Sequence, residues 1–165
     1  MHLKPTKRHV IIIFFILAVV LIRLFPHLPN FTPVTAIALF GGLYISNKIL
    51  AYILPLTIMG LSDLFLGFSS ITFFVYFAFM VVSFIGVKSK KPSLTIVLLG
   101  SVSFFIITNF GVWLLGYPKT WTGFIECYTL ALPFFRNSIL GDLFYSVVLI
   151  FSFEYIQKRY LQHIK

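Results

Sequence analysis

PFFRNSILGDLFYSVVLIF, residues 133–151, carries Arg136, Asn137 and Asp142 into a run otherwise apolar enough to cross a bilayer, in a chain with only four acidic residues among 165. A charged side chain at the centre of a spanning helix costs about 2.5–3.5 kcal/mol on insertion scales. Such groups therefore face a protein interior or a wet cavity rather than lipid. Asp142 shares one helix face with Ser138, Tyr145 and Ser146, at offsets of three and four. That face turns inward, and the stretch reads as one member of a helical bundle with a polar interior.

The rest of the chain agrees. It is 59% hydrophobic, 19% aromatic and 10% charged, where a soluble domain has about 25% charged residues. Apolar runs of spanning length fall near 9–25, 32–47, 49–67, 71–88, 94–115 and 137–157. The expected fold is all-α: one polytopic membrane domain over 1–165, with a basic N-terminus (1–8), a six-helix bundle (9–157) and a basic tail (158–165). The N-terminal residues resemble a signal peptide but lack a small-x-small cleavage site before Arg23, so an uncleaved first span is expected.

Basic residues orient the bundle. With both termini in the cytoplasm, ten fall inside (Lys4, Lys7, Arg8, Lys48, Lys88, Lys90, Lys91, Lys158, Arg159 and Lys165) against Arg23, Lys119 and Arg136 outside. This is a strong positive-inside bias. YPKTWTGFIECYTLALPFF, residues 117–135, is interrupted by Glu126 and cut short by Pro133. As a seventh span it would weaken that bias, so it is expected to be a re-entrant or interfacial segment between the fifth and sixth helices. Trp113, Tyr117 and Trp121 would form the aromatic belt there.

This orientation gathers the polar residues in the outer half. Arg23 ends the first span, Asp63 lies in the last turns of the third with Gly60 and Gly67 on its face, Asn109 and Trp113 lie in the fifth, and Arg136, Asn137 and Asp142 begin the sixth. Arg136 and Asp142, six residues apart, point about 120° away from each other and cannot pair directly. A cation at the start of a helix calls for an anion, which Asp63, a bent-back Asp142 or a ligand could supply. The expected ligand-binding set is Arg23, Asp63, Asn109, Trp113, Arg136, Asn137 and Asp142. Arg136 would hold an anionic group and Trp113 would form a flat wall. A structural network locking the bundle would use the same residues. Ala38, Gly42 and Ser46 recur every fourth residue, a small-residue stripe for close helix packing or a partner contact.

Other functions find little support. The basic residues lie in clusters between apolar runs, unlike a nucleic-acid face. No nucleophile elbow, zinc-protease helix or phosphate loop occurs. The single cysteine, Cys127, excludes an internal disulfide and any Cys-pair metal site. His27, in RLFPHLPN, reads as a rigid loop residue with no second ligand at metal spacing. An enzyme, a cofactor and a bound metal are therefore not expected.

RLFPHLPNFTPVTAIALFGGLY, PLTIMGLSDLFLGF and NFGVWLLGYPKTWTGFIECYTLALPFFRNSILGDLFY, between Arg23 and Tyr145, resemble a family of uncharacterised bacterial six-span membrane proteins. That family is similar in size and layout to the S components, the substrate-capture subunits, of energy-coupling-factor vitamin transporters. The resemblance implies a bacterial inner-membrane protein that captures a vitamin or related micronutrient near its outer face and works with a separate coupling protein and ATPases. One departure is that the first span has only Ala18 where such subunits show an Ala-x-x-x-Ala contact motif; either the Ala38-Gly42-Ser46 stripe substitutes for it or the energising partner is absent, which leaves solitary uptake or no transport open. The alternatives are a non-transporting membrane scaffold and a proton-coupled carrier using Asp63 and Asp142.

Overall fold

A short helix at the centre of the bundle organises the chain. The computed structural model describes residues 17, 19–25 and 29–156, without the side chains of 153, 154 and 156. Among these residues every regular element is helical: α1 (19–24), α2 (Val34–Tyr44), α3 (Lys48–Leu66), α4 (Thr72–Lys88), α5 (Leu94–Gly116) and α6 (Trp121–Ile156). The basic N-terminus, most of the expected first span, His27 and the basic tail lie outside the described residues.

Eight of the eleven residues of α2 are buried, as expected of a helix apolar on every side. It packs against α3, α4, α5 and α6, which follow one another around it. Its seam with α4 is made by glycine. A Cβ on Gly42 would stand 2.6 Å from Ser83 O and from Val87 N, and one on Gly86 would stand 2.5 Å from Leu39 O. Only backbones without side chains approach so closely. Gly42 and Ala38 are thus used within the bundle, whereas Ser46 is exposed in the loop after α2.

Local signals set the other helices. Asn47 Oδ1 accepts from Leu50 N at 3.3 Å and Ser93 Oγ from Ile96 N at 3.3 Å, starting α3 and α5. Gly67, at φ 88°, ends α3 with its N–H on Asp63 O. Short loops make successive helices antiparallel. Lys48, Lys88, Lys90 and Lys91 therefore share one end of the bundle, while Arg23 and Lys119 belong to the other.

α3, α5 and α6 are long and apolar enough to cross a membrane. The outer surface agrees: Ile49, Phe65, Phe73, Trp121 and Phe151 are each 68–76% exposed, and such apolar cover suits lipid.

Two expectations are corrected. The second span, expected over 32–47, is a helix of eleven residues rising about 16 Å, roughly half the ~30 Å hydrocarbon core. The segment 117–135 is not separate from the last span. α6 runs unbroken from Trp121 to Ile156, because Pro133 removes one backbone donor but its neighbours keep helical geometry, as membrane helices tolerate.

Candidate functional site

The shortness of α2 creates a cavity. Asp142, 2% exposed, accepts from Ser101 Oγ at 2.6 Å and from the Thr35 hydroxyl. These bonds put the first turn of α2 level with the eighth residue of α5. Beyond that level α5 continues to Gly116, a further rise of about 22 Å, with no α2 beside it. The space above α2 is a cavity of about 400 Å³, with walls from α1, α3, α4, α5 and α6. That volume lies within the usual range of small-molecule sites, about 300–1,000 Å³.

The α5–α6 hairpin widens it. Near its tip Cys127 Sγ reaches Asn109 O at 3.6 Å, and lower down Asp142 meets Ser101. Between these points α5 advances about 12 Å and α6 about 22 Å. The two helices cannot remain in register over that distance, and Pro133 lies in the longer arm. The lining comes from this stretch, with Phe104, Phe105 and Thr108 on α5 facing Leu130, Phe134 and Ser138 on α6.

Among the described residues one cation lines the cavity. Arg23 Nη1 bonds Asp63 Oδ1 at 2.7 Å, Ser62 Oγ, and Met59 O at 3.4 Å. Tyr76 donates to Asp63 Oδ2 at 3.0 Å. This network joins α1, α3 and α4. Every bond from Arg23 leaves from Nη1, so Nε and Nη2 donate to no described residue. The Arg23–Asp63 pair is formally neutral, and the cavity acquires a fixed donor rather than a free charge.

The sequence-expected residues divide accordingly. Arg23 and Asn109 line the cavity, and Asp63 stands behind Arg23. Asp142 lies below, in its bonds to Ser101 and Thr35. Asn137 donates to Pro29 O at 3.2 Å, holding the loop before α2. Trp113 is not a wall: its ring packs on Phe110 and Phe124, and Nε1 bonds Pro118 O at 3.2 Å. It closes the hairpin together with Lys119, whose Nζ caps the carbonyls of Trp113 and Tyr117. Arg136 is exposed and outside the lining. It sits fifteen residues into α6 rather than at its start, so the dipole argument for an anion beside it does not apply. The anion Asp63 belongs to Arg23 instead.

Sequence reasoning missed Tyr76, Thr108, Ser138 as a lining residue, and Asn30 and Thr32 on the loop before α2. Thr108 had a signal, since it precedes Asn109 in an otherwise apolar run. Tyr76 had none, because its partner is fixed only by how α3 packs on α4.

Among the described residues there is no histidine, and no group of three His, Cys, Asp or Glu side chains could hold a metal. Cys127, 2% exposed, has its thiol directed at a backbone carbonyl rather than at a base. In comparisons with known proteins, a family of unknown function matches residues 3–163. No curated protein and no solved structure matches.

Proposed function

We propose, for a chain that belongs to the family of unknown function DUF6580, that it sits in a bilayer with this cavity at its outer end and captures a small, largely apolar molecule there. The observation that carries the reading is Arg23, a cation lining a mostly apolar cavity, with one edge bound to Asp63 and its remaining donors turned to no described protein group. Membrane placement rests on the three spanning helices and the apolar surface. Orientation rests, among the described residues, on Lys48, Lys88, Lys90 and Lys91 at the opposite end against Arg23 and Lys119 at this one.

Capture fits the geometry better than a channel does. Below the cavity stands α2, sealed to α4 through Gly42 and Gly86, so passage inward requires α2 or its neighbours to move. In this reading the layout shared with transporter capture subunits is an analogy of architecture, and any energising partner is a separate protein. A proton relay is less well supported, because no hydrogen bond among the described residues joins the Asp63 network to the Asp142 network. One observation favours the scaffold alternative: Asp142 is satisfied entirely within the protein and away from the cavity.

Native mass spectrometry of the purified protein, as isolated and after incubation with a mixture of vitamins and small metabolites, tests capture. A stoichiometric adduct that is lost in Arg23→Gln is the expected result. Folded protein that stays free of adduct in every mixture would favour the scaffold.

A further inference from the structure

The polar groups around the cavity are sorted by hydrogen-bonding sense, and this sorting selects a ligand. On α5 and α6 the side-chain hydroxyl donors are already used, and Asn109 has one of its two amide hydrogens committed. Thr108 donates to Phe104 O at 2.9 Å, Asn109 Nδ2 to Phe105 O at 2.8 Å, and Ser138 to Phe134 O at 3.1 Å. Each bond returns to the residue's own helix, a common habit of such side chains within helices. A hydroxyl whose hydrogen is committed keeps its lone pairs, and an amide with one hydrogen committed keeps its oxygen and its second hydrogen. The α5–α6 wall therefore presents mainly acceptors, Thr108 Oγ1, Asn109 Oδ1 and Ser138 Oγ, against one remaining donor on Asn109 Nδ2.

Arg23 is the opposite. A guanidinium carries five N–H donors and no acceptor, and among the described residues only Nη1 is engaged. Asp63 cancels its charge. Asn30 and Thr32, on the loop before α2, can serve either sense. Between the two walls the lining is largely apolar and aromatic, with Phe79, Phe104, Phe105 and Phe134 among it.

Resting on the capture reading, we infer that the ligand is an uncharged molecule with a flat apolar body, an acceptor such as a carbonyl oxygen for Arg23, and N–H or O–H donors for the α5–α6 wall. A simple carboxylate is selected against twice. It brings only acceptors to the acceptor wall, and its charge meets an arginine already neutralised by Asp63. An unpaired polar group in such a site is strongly disfavoured.

Three probes of one shape test this: naphthalene carboxamide, its N,N-dimethyl amide and naphthalene carboxylate. Binding to the full chain in nanodiscs is followed by saturation-transfer NMR and thermal unfolding. The expected order places the primary amide at least about tenfold tighter than either other probe, the scale of one lost hydrogen bond in a buried site. Thr108→Val, of matching shape, and separately Ser138→Ala should narrow the gap between primary and dimethyl amide. Arg23→Gln should weaken both amides together. If the carboxylate binds as tightly as the amide, or if the amides bind alike, the donor–acceptor sorting is overturned while the cavity stands. If none of the three binds saturably to folded protein, the capture reading falls and this inference falls with it.

Discussion

Separating Arg23 from Asp63 tests the centre of the site. At 2.7 Å and an effective dielectric constant of about 20, their attraction is about 6 kcal/mol before dehydration is counted. Their side chains are 17% and 7% exposed, so dehydration offsets much of that. Removing one partner from a buried pair nonetheless destabilises by about 3–5 kcal/mol, because the other charge is left stranded. Asp63→Asn keeps one oxygen, enough for Nη1 or for Tyr76 but not for both, and leaves a neutral side chain beside Arg23, which places it at the lower end, about 3 kcal/mol. Arg23→Gln removes the donor shared by Met59 O, Ser62 and Asp63 and leaves the carboxylate with Tyr76 alone, which places it near 4 kcal/mol. The double variant strands neither charge. Its loss should fall short of the sum by about 2 kcal/mol, within the usual coupling of residues in contact. Reversible unfolding in mixed micelles of increasing SDS fraction measures all four corners of the cycle. Losses that add to within about 0.5 kcal/mol would refute the pairing. The same substitution has a second readout: Asp63→Asn leaves Arg23 uncompensated, so the naphthalene carboxylate probe should gain on the amide by about tenfold, the worth of one charge-assisted contact.

Gly42→Ala places a Cβ 2.6 Å from two backbone atoms of α4 and should destabilise by about 1–3 kcal/mol; Gly116→Ala, where nothing lies within 4 Å, should be neutral or slightly stabilising in the same SDS titration. Arg136→Ala, at an exposed position outside the lining, should leave the affinity for the amide probe within twofold by saturation-transfer NMR, and a larger loss would return Arg136 to the site. Asp142→Ala strands the hydroxyl of Thr35 but leaves Ser101 its bond to Val97 O at 3.1 Å, and should lower stability by about 1–3 kcal/mol, whereas Asp142→Asn, which keeps an acceptor, should recover at least half of that. Amide-probe affinity measured on the folded fraction of both should be unchanged, since Asp142 lies below the cavity.

Much of the helix pattern is legible along the chain because it depends on local properties. Asn47 and Ser93 announce helix starts, Gly67 a helix end, and the lysine clusters one end of the bundle. The last two helices were harder to read. Pro133 and Glu126 look like interruptions in one dimension, yet helical hydrogen bonding passes Pro133 because only one donor is missing. The length of α2 was overestimated for a related reason: Phe31, Thr32, Ile45 and Ser46 continue the apolar run without continuing the helix.

The candidate site was legible as a set of residue types and not as a geometry. Scarce charge in a chain this apolar marks Arg23, Asp63 and Asp142 as inward-facing, because the solvation penalty applies wherever they sit along their helices. Their partners are set by helix packing. The short α2 leaves space above it, which makes Arg23 a cavity residue, and the docking of α2 against α5 and α6 assigns Asp142 to Ser101 and Thr35. Composition and local spacing thus determined that the chain is a helical bundle with helices apolar enough to cross a membrane and with polar residues in its interior. Only the tertiary structure decided which polar residues seal that interior and which face the space it encloses, because contacts between helices depend on their relative height and rotation, which no single helix's sequence encodes.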